Sequence, residues 1–425
     1  MNTELVKREI FDEVASHLKE REVTVITGAR QAGKTTLLSQ LKSWLIEKRR
    51  VKETQIHFLN LDLIDNFTDL QNQGDFIKFL REEIARQRFL YVFIDEIQRL
   101  QDPGKFLKGV YDLKLPIKII VSGSSSLEIR SKVSESLTGR KRVFHLWPFS
   151  FKEYVSHYAP SLADIIDKDD LSAVNKRKIA GYFSDYAIFG GYPRLIFSKD
   201  KEDKIAILNE IYSGYIEKDI AGFMKVKNPL AFSKIVTLLS NQIGGLVNLR
   251  EISATLGINF RTVENYLSSL EQTFVINLAR PYFTNARKEL TKMPKVYFAD
   301  VGIRNLAVKY FAPFSENRDK GKLLENFIAS SLARQGNGVL NYWRTKDRSE
   351  VDFVFSDYYG HITPIEIKAA ELRAPEINRG LRLFIEKYKP RKAVVVNLSL
   401  EKSVRISGAQ VRFVLPYRMA PKEIS

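Results

Sequence analysis

Apolar and polar positions follow two rhythms along the first 150 residues. EVTVITG (22–28), QIHFLNLD (55–62), FLYVFIDEIQ (89–98) and IKIIVSGSSS (117–126) are short apolar runs that predict strands. Between them, KTTLLSQLKSWLIEK and FIKFLREEIAR carry apolar residues at helical spacing. Strands alternating with helices predict an α/β domain with a mostly parallel sheet over residues 1–150. The rhythm changes after VFHLWPFSFKEY. Residues 151–240 read as helices interrupted by FGGYPR (189–194), and 241–300 as a helix-turn-helix with short strands. From about residue 318 the pattern is helix, three strands, helix and strand, which makes 301–425 a further α/β domain. The opening MNTELVKREIFDEVASHLKE predicts an amphipathic helix rather than a signal peptide.

Composition narrows the function classes. The chain has 425 residues, more than one core comfortably holds, with 44% hydrophobic and 28% charged residues, an ordinary balance for a soluble protein. No apolar run is long enough to span a bilayer, so a cytoplasmic protein with no membrane partner is expected. Zero cysteines exclude disulfides, thiolate metal sites and cysteine nucleophiles, and five scattered histidines argue against a His-rich metal site. The net charge is +17, and residues 281–425 hold 26 Lys and Arg against 15 Asp and Glu. That asymmetry predicts a polyanionic partner, most simply nucleic acid.

The strongest chemical signal is Gly-x-x-x-x-Gly-Lys-Thr, Gly28 to Thr35, placed between a strand and a helix. Such a loop (Gly28, Ala29, Arg30, Gln31, Ala32, Gly33, Lys34, Thr35, Thr36) turns backbone N–H groups toward phosphate oxygens, and the helix adds its N-terminus. Lys34 is expected to reach the β- and γ-phosphates and Thr35 to offer a hydroxyl to Mg²⁺. YVFIDEIQ ends a buried strand in Asp95-Glu96. Asp95 is expected on Mg²⁺ and Glu96 as the general base that polarises the attacking water. The cofactors implied are ATP and Mg²⁺.

QIHFLNLD lies between the loop strand and the Asp-Glu strand, an arrangement that resembles AAA+ and related ATPases. Those enzymes carry a polar residue at the tip of the fourth strand that senses the γ-phosphate. The resemblance points here to Ser124, with Ser122 and Ser125 as alternatives. They also carry an arginine before the fifth strand that acts on a neighbouring subunit's nucleotide, here Arg140 and then Arg142. The motifs TGARQAGKTTLL, FIDEIQ, VSGSSSLEI, SLTGRKRVFHLWPFSFKEY, FGGYPR and YIEKDI follow in this order. Together they resemble a group of archaeal and bacterial AAA+ ATPases with a C-terminal domain of unknown function. The resemblance implies ATP hydrolysis, a helical lid over 151–240 in which Arg194 acts as a second sensor, and a homo-oligomer such as a hexamer. The glycines of GGYPR break the helices and let the chain approach a ligand closely.

NLREISATLGINFRTVENYLSSLEQTFVI matches a helix-turn-helix, with Gly257 at the turn and Asn259 as a cap. Outward positions then fall at Arg261, Thr262, Asn265 and Tyr266, the residues a recognition helix presents to DNA. The following strands suggest a winged helix, with Arg280, Arg287, Lys288, Lys292 and Lys295 as a basic wing. In the last domain, Glu325, Asp352, Glu366 and Lys368 resemble the PD-(D/E)XK nuclease superfamily, with spacing similar to archaeal Holliday junction resolvases. Ser349-Glu350-Val351-Asp352 replaces that superfamily's Pro-Asp. Glu366 and Lys368 are two apart on a strand and share a face, and three carboxylates could bind Mg²⁺. The expected architecture is therefore α/β: a P-loop AAA+ parallel-sheet core, a helical lid, a winged helix and a nuclease-like end. Duplex or branched DNA is the expected partner. The alternatives are an ATP-controlled switch that gates the C-terminal domain, a structure-specific nuclease with an ATPase accessory, and a protein-remodelling ATPase.

Overall fold

The computed structural model describes residues 5–124, 137–168, 170–220, 229–282 and 293–419. The chain forms two compact units. The first runs to Phe149 and takes in a stretch beginning at Ser213 together with Gln272–Phe274; the second holds Ser150–Tyr212, a segment ending at Glu271, and the chain from Val275 onward.

The first unit is built on β1 (Val23–Gly28), β2 (Ile56–Asn60), β3 (Leu90–Asp95), β4 (Ile117–Ser124) and β5 (Lys141–Leu146), in sheet order β2-β3-β4-β1-β5. Every neighbouring pair is parallel. A parallel sheet is covered on both faces, which explains why these strands read as near-continuous apolar runs. The covering helices are α1 (Phe11–His17), α2 (Lys34–Glu47), α3 (Ile64–Gln71), α4 (Gln73–Gln87) and α5 (Pro103–Asp112). Strand alternation sends Val23 and Val25 of β1 toward Phe76, Leu80 and Leu107. Ile26 packs on the other face with Val14, Leu37 and Leu41. The expectation that QIHFLNLD separates the loop strand from the Asp-Glu strand is corrected here: β2 is the edge strand outside β3, and β4 lies between β1 and β3. Phe274, from late in the chain, packs its ring 5.0 Å from His145 and 4.9 Å from Trp147 at the end of β5.

His17 closes the first unit's core beside β5. Its side chain is 3% exposed, its Nδ1 lies 2.8 Å from the Thr24 hydroxyl, and its ring meets Phe144 edge-on. Burial, reinforced by the Lys118 and Arg142 cations, pulls its pKa down to about 4. A histidine whose folded pKa is depressed stays neutral in the fold while the unfolded chain takes up its proton. Stability is therefore full above about pH 6.5 and falls as the pH drops toward 4, by on the order of 3 kcal/mol. Urea unfolding of the first unit at pH 7 and pH 4.5 should show this loss, and His17→Gln should remove much of the slope. Equal slopes in the two proteins would refute the assignment.

In the second unit, α6 (Phe151–Tyr158), α7 (Pro160–Ala163), α8 (Ala173–Phe189) and α9 (Lys201–Ile211) are followed by α10 (Pro229–Asn241), α11 (Leu249–Leu256) and α12 (Phe260–Gln272). Then come β6 (Ile276–Pro281), β7 (Lys295–Phe298), α13 (Val301–Ala307), α14 (Lys320–Gln335), β8 (Gly338–Arg344), β9 (Glu350–Asp357), β10 (Ile362–Ile367), α15 (Arg379–Tyr388), β11 (Lys392–Val396), β12 (Lys402–Ile406) and β13 (Ala409–Val414). The eight strands form one mixed sheet, ordered β12-β13-β11-β10-β9-β8-β6-β7. Strands β6 and β7 pair antiparallel, as a wing would, and Arg280 and Pro281 continue in parallel onto β8, so the hairpin extends the C-terminal sheet.

α11 and α12 flank a turn at Gly257, whose φ is +63°. Asn248 caps α11 through the N–H groups of Arg250 and Glu251, and the Asn259 side chain accepts from Arg261 N at 2.8 Å. Arg261 and Asn265 are exposed on α12 and Thr262 is half-buried. Tyr266 corrects the expected recognition face. It is 6% exposed, with its ring 5.2 Å from Phe232, because it sits three residues after Val263 on the apolar stripe. The close approach expected of GGYPR is also made, though to a carboxylate of this chain. A Cβ on Gly190 would lie 2.2 Å from Asp300 Oδ1, and Gly191 N donates to Asp300 Oδ2 at 2.8 Å. Asp300 also caps α13 by accepting from Gly302 N and Ile303 N. Burial raises its pKa, against the pull of these N–H donors.

Candidate functional site

The loop between β1 and α2 has the backbone shape of an anion cradle. Gln31 and Gly33 take φ of +60° and +95°, and such left-handed residues alternating with ordinary ones aim successive N–H groups inward. Gly33 is the residue whose glycine this curl requires. Gly28 is constrained differently: a Cβ there would lie 2.1 Å from the Leu146 carbonyl oxygen, so it serves the packing of β1 against β5. Ala29 and Ala32 are buried, and Arg30, Thr35 and Thr36 are exposed. The Lys34 side chain folds back over the loop, and its Nζ donates to the carbonyls of Gly28 at 3.2 Å and Ala29 at 3.1 Å. Those carbonyls stand in for the anionic oxygens such a lysine would meet.

Hydroxyls converge on the tip of β3. Asp95 is 1% exposed; its Oδ2 accepts from Thr35 Oγ1 at 2.6 Å, and its Oδ1 accepts from the Ser122 hydroxyl. Glu96 follows with φ +58°, and its carboxylate accepts from the Gln98 side-chain amide. Ser124 sits at the tip of β4 in register with Gly28, yet Ser122 is the serine that reaches Asp95. Ser125 lies outside the described residues.

A second cluster gathers in the C-terminal sheet. In the antiparallel pairing of β9 with β10, Phe353 faces Ile365, which brings Asp352 beside the end of β10, and Asp352 Oδ2 accepts from Ile367 N at 2.8 Å. Glu366 Oε1 accepts from Lys368 Nζ at 2.8 Å and Asn378 Nδ2 at 2.5 Å. Its Oε2 is buried with no hydrogen-bond partner among the described residues. Glu325 of α14 accepts from the Tyr297 hydroxyl at 3.3 Å. Burial and the Asp352 charge push Glu325 up to about 8 and Glu366 up to about 7. Lys295 corrects the expected basic wing: it is 4% exposed and ion-paired with Glu350. Burial alone would pull its pKa down, but the carboxylates of Glu325, Glu350 and Asp352 more than offset that and raise it. Arg287, Lys288 and Lys292 lie outside the described residues.

The known-protein comparisons agree with the loop geometry. Residues 20–155 match the model of an AAA domain. Two further matches are to domains of unknown function, DUF8612 over 181–313 and DUF4143 over 320–419. An uncharacterized protein of Haemophilus influenzae is 26% identical over 83% of this chain and 84% of its own length. One of Methanocaldococcus jannaschii is 24% identical over 94% of this chain and 86% of its own. A solved signal-transduction ATPase with numerous domains from Pyrococcus horikoshii aligns at 13% identity and TM-score 0.31, covering 78% of this chain and 45% of that one.

The residues present fit a bound nucleotide: left-handed turns at Gln31 and Gly33, a lysine folded over the loop carbonyls, and a hydroxyl already on the strand-end aspartate. Arg8, absent from any motif, supports the loop of the AAA domain. It is 5% exposed and donates to the carbonyls of Ala32 at 2.8 Å and Trp147 at 2.6 Å. Only the fold brings residue 8 to the loop, so spacing could not have found it. Arg140 stands at the N-terminal end of β5, paired with Asp112 at 3.1 Å. Six strand residues, about 20 Å, separate it from the loop end of the sheet. Arg142 pairs with Glu13 at 2.7 Å. In the second unit, Arg194 pairs with Glu210 at 2.7 Å. Among the described residues, no three His, Asp or Glu side chains are gathered so as to hold a metal, and in the C-terminal cluster Lys295 supplies the countercharge. No described helix is long and apolar enough to cross a membrane.

Proposed function

We propose that the chain hydrolyses Mg²⁺-ATP in its AAA domain and uses the cycle, as a homo-oligomer, to remodel DNA. The observation that carries the hydrolytic half is the meeting of the Thr35 and Ser122 hydroxyls on Asp95, next to Glu96. Lys34 would leave the loop carbonyls for the β- and γ-phosphates, and Thr35 and Asp95 would hold the metal. Mg²⁺ supplies neutralising charge to the phosphate oxygens. Glu96 takes the proton of the attacking water. Ser124, or Ser122 in its place, senses the γ-phosphate from the tip of β4. Arg140 completes a neighbour's site, since its own lies about 20 Å away along the strand. Arg194 acts as a second sensor once it leaves Glu210.

The DNA half rests on the +17 charge and on the exposed Arg261 and Asn265 with Thr262 on the second helix of the helix-turn-helix. The C-terminal order of helix, three antiparallel strands, helix and strand, with Glu325, Asp352, Glu366 and Lys368 gathered on it, favours a nuclease-like fold. Because Lys295 balances the carboxylates, that fold enters as a DNA-handling element with no cleavage step assigned. The test is ATP turnover with Mg²⁺, alone and with single-stranded, duplex and four-way-junction DNA, with the same reactions run on a gel for strand cleavage. A several-fold rise, greatest with junctions, is expected. Turnover indifferent to all three would discard the DNA half and leave the switch or protein-remodelling reading.

A further inference from the structure

Near the start of the second unit, a recess of about 730 Å³ opens between α6 and α8. Spacing explains its walls. Asn175, Lys178, Tyr182 and Asp185 recur every three or four residues along one face of α8, and Tyr154 and Tyr158 are four apart on α6. The rings of Tyr158 and Tyr182 stack with centroids 5.6 Å and planes 16° apart. Tyr158 is 38% exposed, so part of this aromatic surface is open to a ligand.

The recess is polar within and cationic at its edge. Asp185 Oδ2 accepts from the Tyr154 hydroxyl at 2.5 Å and from Lys204 Nζ at 2.7 Å, which neutralises the buried lysine. Lys178 and Lys199 also line the recess, are exposed, and have no carboxylate partner among the described residues. Gly181 lies on the same stretch of α8 and borders the recess. A Cβ there would meet nothing within 4 Å, so packing does not require glycine. A glycine inside a helix costs about 1 kcal/mol relative to alanine. What it provides here is open space against the tyrosines.

We infer that this recess binds a nucleotide unit, a planar base laid on the Tyr158–Tyr182 surface with its phosphate met by Lys178 and Lys199. Stacking on an aromatic side chain is worth roughly 1–3 kcal/mol per base and tolerates any base, and lysines supply the phosphate attraction. A free mononucleotide and the end of a single strand share this chemistry. The site is separate in sequence from the phosphate loop and does not depend on ATP turnover.

The test uses the full-length chain with Lys34→Ala as the parent, which disables the phosphate loop without adding a nucleotide that would compete for the recess. Binding of a 5′-phosphorylated, fluorescein-labelled tetrathymidylate is followed by anisotropy in this parent and with Gly181→Leu or Lys178→Glu added to it. Leucine fills the recess; glutamate reverses an exposed charge and spares the fold. Each variant should weaken binding at least tenfold while the melting temperature moves by no more than about 2 °C. Competition by thymidine monophosphate at similar affinity identifies a free nucleotide as the ligand, and competition only by oligomers identifies a strand; either supports the site. Parent-level binding in both variants, or no binding by the parent, overturns it. So does displacement of the probe by a poly-glutamate peptide but by no nucleotide, which would make this an acidic-peptide site.

Discussion

Glu96→Gln will leave ATP bound and slow its turnover by about 10²- to 10⁴-fold, the usual contribution of a positioned general base. The carboxylate stands one residue beyond the buried Asp95, at a backbone φ of +58° that turns it away from the strand axis. Asp95 has both oxygens engaged by hydroxyls and so is occupied as a ligand. Among the described residues the Glu96 carboxylate accepts from the Gln98 side-chain amide, a donor it can exchange for a water. The amide of glutamine keeps shape and removes basicity. Lys34→Ala should behave differently, losing nucleotide affinity itself, because Lys34 is the cation that the cradle holds over its own carbonyls. Fluorescent-nucleotide binding and phosphate release, measured side by side, separate the two. Turnover in Glu96→Gln within tenfold of the wild type would remove Glu96 from the role of base.

Lys295→Met will destabilise the second unit by about 3 kcal/mol near neutral pH, the scale expected when one partner of a buried ion pair is removed. Lys295 is 4% exposed and faces Glu350, Glu325 and Asp352. Methionine fills much of the same volume but leaves these carboxylates with no buried cation. The loss has a pH signature. Glu325 and Glu366 already have folded pKa values raised to about 8 and about 7, so in that range the fold holds protons that the unfolded chain has released. An acid shifted upward stabilises relative to its ionised state at low pH, and that contribution is lost as the pH rises from about 4.5 through the folded value. Removing Lys295, whose charge holds Glu325 down, raises the Glu325 value further, so the deficit should be small at pH 5 and largest at pH 9. Calorimetry of both proteins across that range checks it; a deficit independent of pH would mean that Lys295 acts through packing alone.

Much of the first unit was legible because its signals are local. A cradle needs left-handed residues between a strand and a helix, and that requirement writes itself into adjacent positions from Gly28 to Thr35. Strand order is another matter. β2 and β4 are both short apolar parallel strands, and nothing in IHFLN or IKIIVSGS says which will be the edge. Ser122 and Ser124 alternate by two and share a face, so the sequence could narrow the choice but not make it; only the distance to Asp95 did. In the second unit, Lys295 looked like one more cation in a basic stretch. Its burial depends on carboxylates 30 to 57 residues away, which local spacing does not encode. Tyr266 failed for the opposite reason: its amphipathic ring suits either face of a helix, and Phe232 decided the matter. Asp300 was readable in part, as a cap before an apolar helix, but not as the group against which Gly190 and Gly191 close.

The sheet that carries the cradle closes with residues made late. Phe274 rests on His145 and Trp147, yet the ribosome delivers it some 125 residues after Phe149. At 5–20 residues per second, that interval is roughly 6–25 s. During it, the nascent nucleotide unit stands with the end of β5 uncovered, while the first helices of the second unit are already emerging. The two units therefore cannot mature strictly one after the other on the growing chain. A translation pause placed between codons 149 and 272 should prolong that exposed state, and chaperone capture of the stalled chain should rise with it.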